Sequence, residues 1–547
     1  METLQTQLGQ TLLERRYRAF AAGLLLLYAA GLTKDISEAW VGLHDWNGAF
    51  FSQLARNFSR YPLEIHHGMP VVAVGEAIPP AAERSIYATH PPGLVWMIAG
   101  AFAVFGESEA VARCLPILAS LGTLALLLHL WRMALGRRMA LLAGLFYACM
   151  PMSVYFGRMV NHEAIGLFLM LAAGSLHVRI QQRRSPQSTR ERIIANVLLV
   201  VVLILGCWTG WAGCLFASLY CFISLRQMLG LGECRDGGRR GAAIVVACIM
   251  GNILLQFYYI VHAGLAGNWR DLESIFLSRA THERGEAPRA SLAAGGDVWR
   301  HTIENVTWPL MILAAIGLAG AVLEIRHRFV FRNWASNDKP AGRGERASRV
   351  MLRLVSITGL VWLTVFYHQY VFHAYWAFFL GPAIAMLGAK SIGLMSKHVH
   401  ATSRAMSLAA LGAIVMTAAV LEVQGTWHYF SHEETALTAH VGAWQSINEM
   451  TRPADRIVTT WNPTWVERRG RYVFRNIVPP QFAYYADRAF TVEPDPAKVP
   501  FLAADHVLFV IQVADAVNRS GSLQPLRGRF SEQLIGDVLV VFRLKDH

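Results

Sequence analysis

A chain of 547 residues that is 54% hydrophobic and only 16% charged falls well short of the roughly one quarter of charged residues usual in soluble domains. That excludes an ordinary soluble globule and predicts a polytopic α-helical membrane protein. The 50 Lys and Arg against 37 Asp and Glu give a formal charge of +13, yet they sit in short clusters between apolar runs rather than on one domain, which excludes a nucleic-acid partner and marks topology instead.

Arg15, Arg16 and Arg18 precede the first apolar run, 19–32, and place the N-terminus in the cytoplasm. No small-residue cleavage site follows, so the run is read as a first span and not as a signal peptide. Residues 33–108 then form the first outer loop. Within it 91–105 is apolar, but a crossing there would turn every later basic cluster outside. Treated as a helix lying in the outer interface, it restores the alternation. Further spans are expected over 110–130, 139–156, 163–178, 193–206, 212–225, 241–262, 306–323, 351–366, 372–389 and 405–423, about eleven in all. The inner loops between them carry Arg132/Arg137/Arg138, Arg179 to Arg192, Arg226 to Arg240, Arg326 to Arg349 and Lys390/Lys397/Arg404.

From 428 onward polar residues rise. A helix near 443–450 and β-like runs at 456–460, 471–477, 506–513 and 534–544 predict a small α/β outer C-terminal domain. The division expected is a transmembrane part over 1–427 and an outer domain over 428–547. Seven cysteines lie mostly in apolar runs without CxxC or zinc spacing, and read as buried thiols. A turn at Cys207-Trp208-Thr209-Gly210-Trp211 breaks any helical face that Cys207, Cys214 and Cys221 would share.

The chemistry-bearing residues stand at the outer ends of spans. His44-Asp45-Trp46-Asn47-Gly48 opens a helix-like stretch. Asp45 occupies an N-cap position, where its carboxylate would accept the first free N–H groups, or else serves catalysis just above the membrane. Glu163 heads the span after Arg158-Met159-Val160-Asn161-His162, where it complements the helix dipole. A compact Arg, Asn, His and Glu group exceeds what a cap requires. His282-Glu283-Arg284 lies in the large loop 264–305. His368 and His373 flank a turn between two spans and either bind phosphate or hold the turn. His66-His67 near Glu64 is not read as a metal site, because adjacent histidines point apart on most backbones.

In order along the chain, His44 to Gly48, Thr89-His90-Pro91-Pro92-Gly93-Leu94-Val95-Trp96, Ala112-Arg113-Cys114-Leu115-Pro116 and Arg158 to Glu163 resemble the first third of the GT-C glycosyltransferases. Within that class they are most similar to the protein O-mannosyltransferases of family 39 and the aminoarabinose-transferase-like enzymes. The resemblance is good over about 10–180. Beyond that it rests on topology, on Tyr367-His368-Gln369-Tyr370 and His373-Ala374-Tyr375-Trp376, and on an outer C-terminal domain. It implies a multi-pass protein of the cell inner membrane, its site facing the periplasm, that takes a sugar from a polyprenyl phosphate and passes it to a lipid, protein or glycan acceptor; no cofactor is expected, and no residue is assigned as a metal ligand.

The resemblance also implies a pair of acidic catalytic residues, which map to Asp45 and Glu163. An acceptor hydroxyl loses its proton as it attacks, for which Asp45 is the expected base. The leaving lipid phosphate needs donors aimed at it, for which Arg158, His90 and Arg284 are the candidates, and His44, His162, His368 and His373 are expected to bind substrate beside them. His90 stands where the aminoarabinose-type enzymes often have Lys, and Asp45-Trp46 where the mannosyltransferases usually have Asp-Glu. The rival classes are a polytopic lipid or glycan transporter and a polysaccharide polymerase. A transporter would place ionisable groups at mid-membrane on broken helices, whereas here they stand at span ends.

Overall fold

A computed structural model describes residues 2–547 except 43, 76–77, 79–84, 88, 183–188, 230–236, 260–297, 331–341, 371–372, 398–403, 434–437, 454, 460–479, 494–497, 499–507, 513–522, 536–538 and 545–547. Helix α1 (Glu2–Leu32) leads into α2 (Asp45–Arg60), α3 (Leu63–His66) and α4 (Gly93–Phe105). There follow α5 (Glu109–Leu135), α6 (Arg137–Cys149), α7 (Pro151–Arg158), α8 (His162–Gln182), α9 (Thr189–Thr209), α10 (Trp211–Met228) and α11 (Gly237–Tyr259). The bundle continues with α12 (Val298–Asn305), α13 (Trp308–Val330), α14 (Arg343–Val365), α15 (Tyr367–Tyr370), a 3₁₀ stretch Ala374–Leu380, α16 (Gly381–Lys397) and α17 (Arg404–Glu433).

Each run read as a span coincides with helix among the described residues. Five of these helices are long and apolar enough to cross a membrane, and seven if each of two bent pairs counts as one crossing. The run 139–156 is not one straight span. It breaks between α6 and α7 with a 60° bend, because Pro151 at the first position of α7 has no N–H to continue the α6 ladder. The run near 306–323 is likewise preceded by a 94° break between α12 and α13. Gly210 separates α9 from α10, as the Cys207–Trp211 turn requires.

Helix α5 illustrates how local chemistry sets the limits. Ser108 caps it, its hydroxyl accepting from Val111 N–H at 3.3 Å, and Glu109 in the first turn complements the dipole. Gly136, at φ 86°, ends it, and α6 starts at once on the return path. The core of the bundle gathers Trp131, Phe146, Tyr147, Phe156, Phe216 and Phe378.

A second core joins parts of the chain far apart in sequence. Trp40, Phe50, Leu54 and Leu94 pack in one cluster with Trp444, Ile457, Phe482 and Val541. The C-terminal partners are α18 (Thr438–Met450), α19 (Pro480–Ala486), α20 (Gln524–Arg529) and a sheet of β3 (Arg456–Thr459), β4 (Ala489–Val492), β5 (Leu508–Gln512), β6 (Phe530–Ile535) and β7 (Leu539–Leu544). A two-stranded ribbon, β1 (Val71–Val72) and β2 (Ser85–Ile86), lies in the first loop. The large sheet runs β4-β3-β5-β7-β6, with β3 parallel to β4 and β5, and β7 antiparallel to β5 and β6. The expected run 534–544 is therefore two strands of a hairpin rather than one, and 471–477 lies outside the described residues.

Helix α4 sits as an interfacial element would. Thirteen residues extend about 20 Å, short of the ~30 Å hydrocarbon core. Both of its ends are tied to the stretch that precedes it: Trp96 Nε1 donates to Gly68 O, just after α3, at 2.8 Å near its start, and just past its end Glu107 pairs with Arg56 of α2.

Candidate active site

Helix α2 and the α6–α7 break bring the first group of residues together. Its N-cap is His44, in αR backbone and without a side-chain capping bond, so the expected cap at Asp45 is corrected. Asp45 is the first residue of the helix and turns its carboxylate back onto the loop. Oδ2 accepts from Gly42 N–H at 3.1 Å and Oδ1 from Arg113 Nη2 at 3.2 Å. The N-cap is decided by where the backbone turns helical, one residue earlier than side-chain preference suggests.

Arg113, on α5, is the anchor that residue-type reasoning overlooked. Its side chain is 2% exposed against 26% for Asp45, so the carboxylate is reachable from the cleft and its partner is not. The guanidinium also donates to Ile36 O at 3.1 Å and to Glu38 O, and lies 4.1 Å over the Trp40 ring. Trp40 in turn lies against Gly48 so closely that a Cβ there would overlap the indole. The signal was an arginine inside an apolar span, which implies a specific partner.

Arg158, the last residue of α7, is buried and enters the same cleft. One Nη2–H donates to Asp35 O at 3.0 Å, and the cation sits 5.1 Å over Phe430. The cleft is lined by Glu38, Val41, Gly42, His44, Asp45, Arg113, Tyr155, Arg158, Met159 and Phe430. His44 packs edge-on against Phe156 at 5.2 Å and Tyr375 at 6.3 Å, and His373 stacks on Tyr375 at 5.2 Å.

The second group forms around α8. His162 and His90 stack at 4.4 Å, with Phe51 of α2 edge-on to His162 at 5.0 Å. His162 Nδ1 lies 2.5 Å from Thr209 O, and since a carbonyl only accepts, that nitrogen carries the proton. Trp211 Nε1 donates to Thr89 O at 2.8 Å and fixes the turn bearing His90. Glu163 is 5% exposed, and its Oε2 has no hydrogen-bond partner among the described residues. It does not line the Asp45 cleft, so the two carboxylates occupy two neighbouring clusters linked through α2.

Arg284 and the side chain of His368 lie outside the described residues. His66 is engaged locally, its Nδ1 accepting from Gly68 N–H at 2.9 Å and its ring 4.6 Å from Phe58. Among the described residues no three His, Cys, Asp or Glu side chains cluster as a metal ion would require.

Residues 89–199 match the model of the dolichyl-phosphate-mannose-protein mannosyltransferase family. ArnT from Cupriavidus metallidurans bound to undecaprenyl phosphate is similar at a TM-score of 0.56 and 14% identity, over 96% of this chain and 97% of that one. The chain has the GT-C fold. The Archaeoglobus fulgidus oligosaccharyltransferase in its apo form is also similar, with a TM-score of 0.55 and 13% identity over 92% of this chain and 71% of that one. The GT-C relative AglB from the same organism, in complex with an inhibitory peptide and a dolichol-phosphate, gives 0.52 and 12% over 92% and 71%. No curated protein sequence matches the chain.

Proposed function

We propose that this chain is an inner-membrane glycosyltransferase that moves a sugar from a polyprenyl-phosphate donor to a hydroxyl of a lipid, protein or glycan on the periplasmic side. The observation that carries this reading is the shared cleft of Asp45 and Arg158. A reachable carboxylate and a guanidinium at one mouth of a GT-C bundle supply the two things the reaction needs. The bound undecaprenyl phosphate of ArnT and the dolichol-phosphate of AglB support the donor class.

In the proposed step the acceptor oxygen bonds to the anomeric carbon, the bond from that carbon to the phosphate oxygen breaks, and the acceptor proton passes to Asp45. Arg113 and Gly42 N–H each take one oxygen of that carboxylate, which sets its direction before substrate arrives. Arg158 faces the charge that grows on the leaving phosphate. Its anchorage on Asp35 O and Phe430 means it needs no reorganisation at the moment of transfer. Glu163, with His90 and His162, positions donor or acceptor from the adjoining cluster.

Asp45→Asn tests the assignment, because the amide oxygen still accepts from Gly42 N–H while the proton acceptor is gone. General-base loss costs about 10²- to 10⁴-fold. In a deletion strain, mass analysis of envelope lipids, proteins and glycans reveals the missing sugar. The wild-type gene restores it, and equal amounts of Asp45→Asn protein are expected not to. Restoration at the wild-type rate would remove Asp45 from catalysis.

A further inference from the structure

A second, larger opening lies between the first loop and the C-terminal layer. Its volume is about 620 Å³, within the roughly 300–1,000 Å³ of ligand sites. One wall is Arg56 and Arg60 of α2 with Glu107 and Glu109, and the other is Gln445, Asn448 and Glu449 of α18 with Tyr484, Tyr485 and Asp487.

The groove is built, and its residues bond to those that frame the candidate active site. Arg60 grips Asp487 with two bonds of 2.8 and 2.6 Å, and Arg56 reaches Glu107 and the Tyr484 carbonyl. The Tyr485 hydroxyl accepts from Trp40 N–H at 2.7 Å and donates to Glu109 at 2.7 Å. Glu109 stands one helical turn, about 6 Å along α5, from Arg113, the residue that holds Asp45. From Asp45 to Arg56 along α2 is about 16 Å. The groove and the cleft thus open about 16 Å apart along one helix, α2.

We propose that this groove binds the acceptor, and that the bound portion is a neutral or amino saccharide. The inference rests on the glycosyltransferase reading above. Carboxylates, amides, guanidinia, tyrosines and the Ser108 hydroxyl line the groove, and among the described residues no aliphatic side chain does, so no described wall receives an acyl chain. Four acidic groups face two arginines that are already paired, so a phosphorylated or uronic ligand is repelled. Planar donors and acceptors set among tyrosines suit the fixed hydroxyl pattern of a sugar ring.

The test uses the full chain in lipid nanodiscs. Cellotetraose, chitotetraose and chitosan tetraose are titrated with saturation-transfer NMR, and a lysine-rich decapeptide serves as the rival ligand. Lactosylceramide in the disc separates a membrane-borne saccharide from a free one. Gln445 and Glu449 are exposed and one turn apart on α18, so Gln445→Trp and Glu449→Lys alter the groove without touching the core.

At least one saccharide, free or lipid-borne, should bind saturably, weaken about tenfold or more in each groove variant, and bind Asp45→Asn protein as it binds wild type. Binding of none of the saccharides, of the peptide alone, or equally well to both groove variants overturns the proposal. Because Asp45→Asn leaves the groove intact, an active Asp45→Asn enzyme would refute the catalytic assignment while the binding result stands or falls separately.

Discussion

Arg113 and Glu163 place opposite demands on their surroundings. Arg113 is buried against a carboxylate, two carbonyls and an indole face. Arg113→Ala leaves the Ile36 and Glu38 carbonyls without their donor and Asp45 without its partner, and a buried polar group left unsatisfied costs about 1–3 kcal/mol. The variant is therefore expected to unfold at markedly lower temperature in detergent. Arg113→Lys keeps the charge but loses the fork and the stacking. It should fold and still transfer sugar about tenfold or more slowly, because Asp45 loses its direction. A lysine variant at wild-type rate would show that pairing alone suffices. Glu163 presents the reverse case, a buried carboxylate with one oxygen unanswered among the described residues. Burying a polar group without a partner costs stability, so Glu163→Gln should melt no lower than wild type while transfer falls. Unchanged transfer would reduce Glu163 to a first-turn dipole partner.

Helix α2 is the element that connects the chemistry to the C-terminal layer. Its N-terminal end presents Asp45, its middle packs Phe51 on His162, and its last turn clamps Asp487 through Arg60. Burial raises the Asp487 carboxyl, but the Arg60 hydrogen bonds and the charges of Arg56, Arg60 and Arg488 outweigh it and hold the group below its ordinary 3.8. A carboxylate depressed in this way stabilises the fold above its unfolded value, and that contribution is lost as pH falls through the folded one. Wild-type melting temperature should thus drop as pH goes below about 4. Asp487→Asn should melt lower than wild type at pH 7 and converge with it in acid. A gap that persists unchanged at low pH would assign the loss to packing. Much of this element was legible. The aromatic and apolar side of 49–58 and the candidates at its head were read from order alone. The cap was misplaced by one position because it depends on the backbone of His44, which residue type does not reveal. The role of Arg113 stayed hidden because its partner lies 68 residues away, beyond any local pattern. The α6–α7 bend was missed although Pro151 marks it, since hydropathy averaged over 139–156 carries no direction.

At the level of the whole molecule, the shared core decides which segments lie on one face of the membrane. Trp40 and Leu94 of the first loop pack with Trp444 and Val541, and no bilayer can separate residues in one core. The chain must therefore cross an even number of times between α5 and α18. The ten spans expected from the sequence after the first satisfy that parity, and seven of them are long and apolar enough to cross among the described residues, each bent pair counted as one. Charge alternation reached the same parity independently: it required 91–105 to stay on one side, and the contacts of Trp96 and Glu107 hold both flanks of α4 there. The direction that we propose for the stack rests on the basic clusters, which favour the cytoplasm. Ser531 in β6 and Arg138 at the start of α6 are both exposed and are expected on opposite faces. With the seven native cysteines replaced by serine, Ser531→Cys should react with an impermeant maleimide on intact spheroplasts. Arg138→Cys should react only after the membrane is opened. Labelling of both from one side would break the parity, and labelling of Arg138→Cys alone from outside would invert the orientation and move the proposed site to the cytoplasmic face.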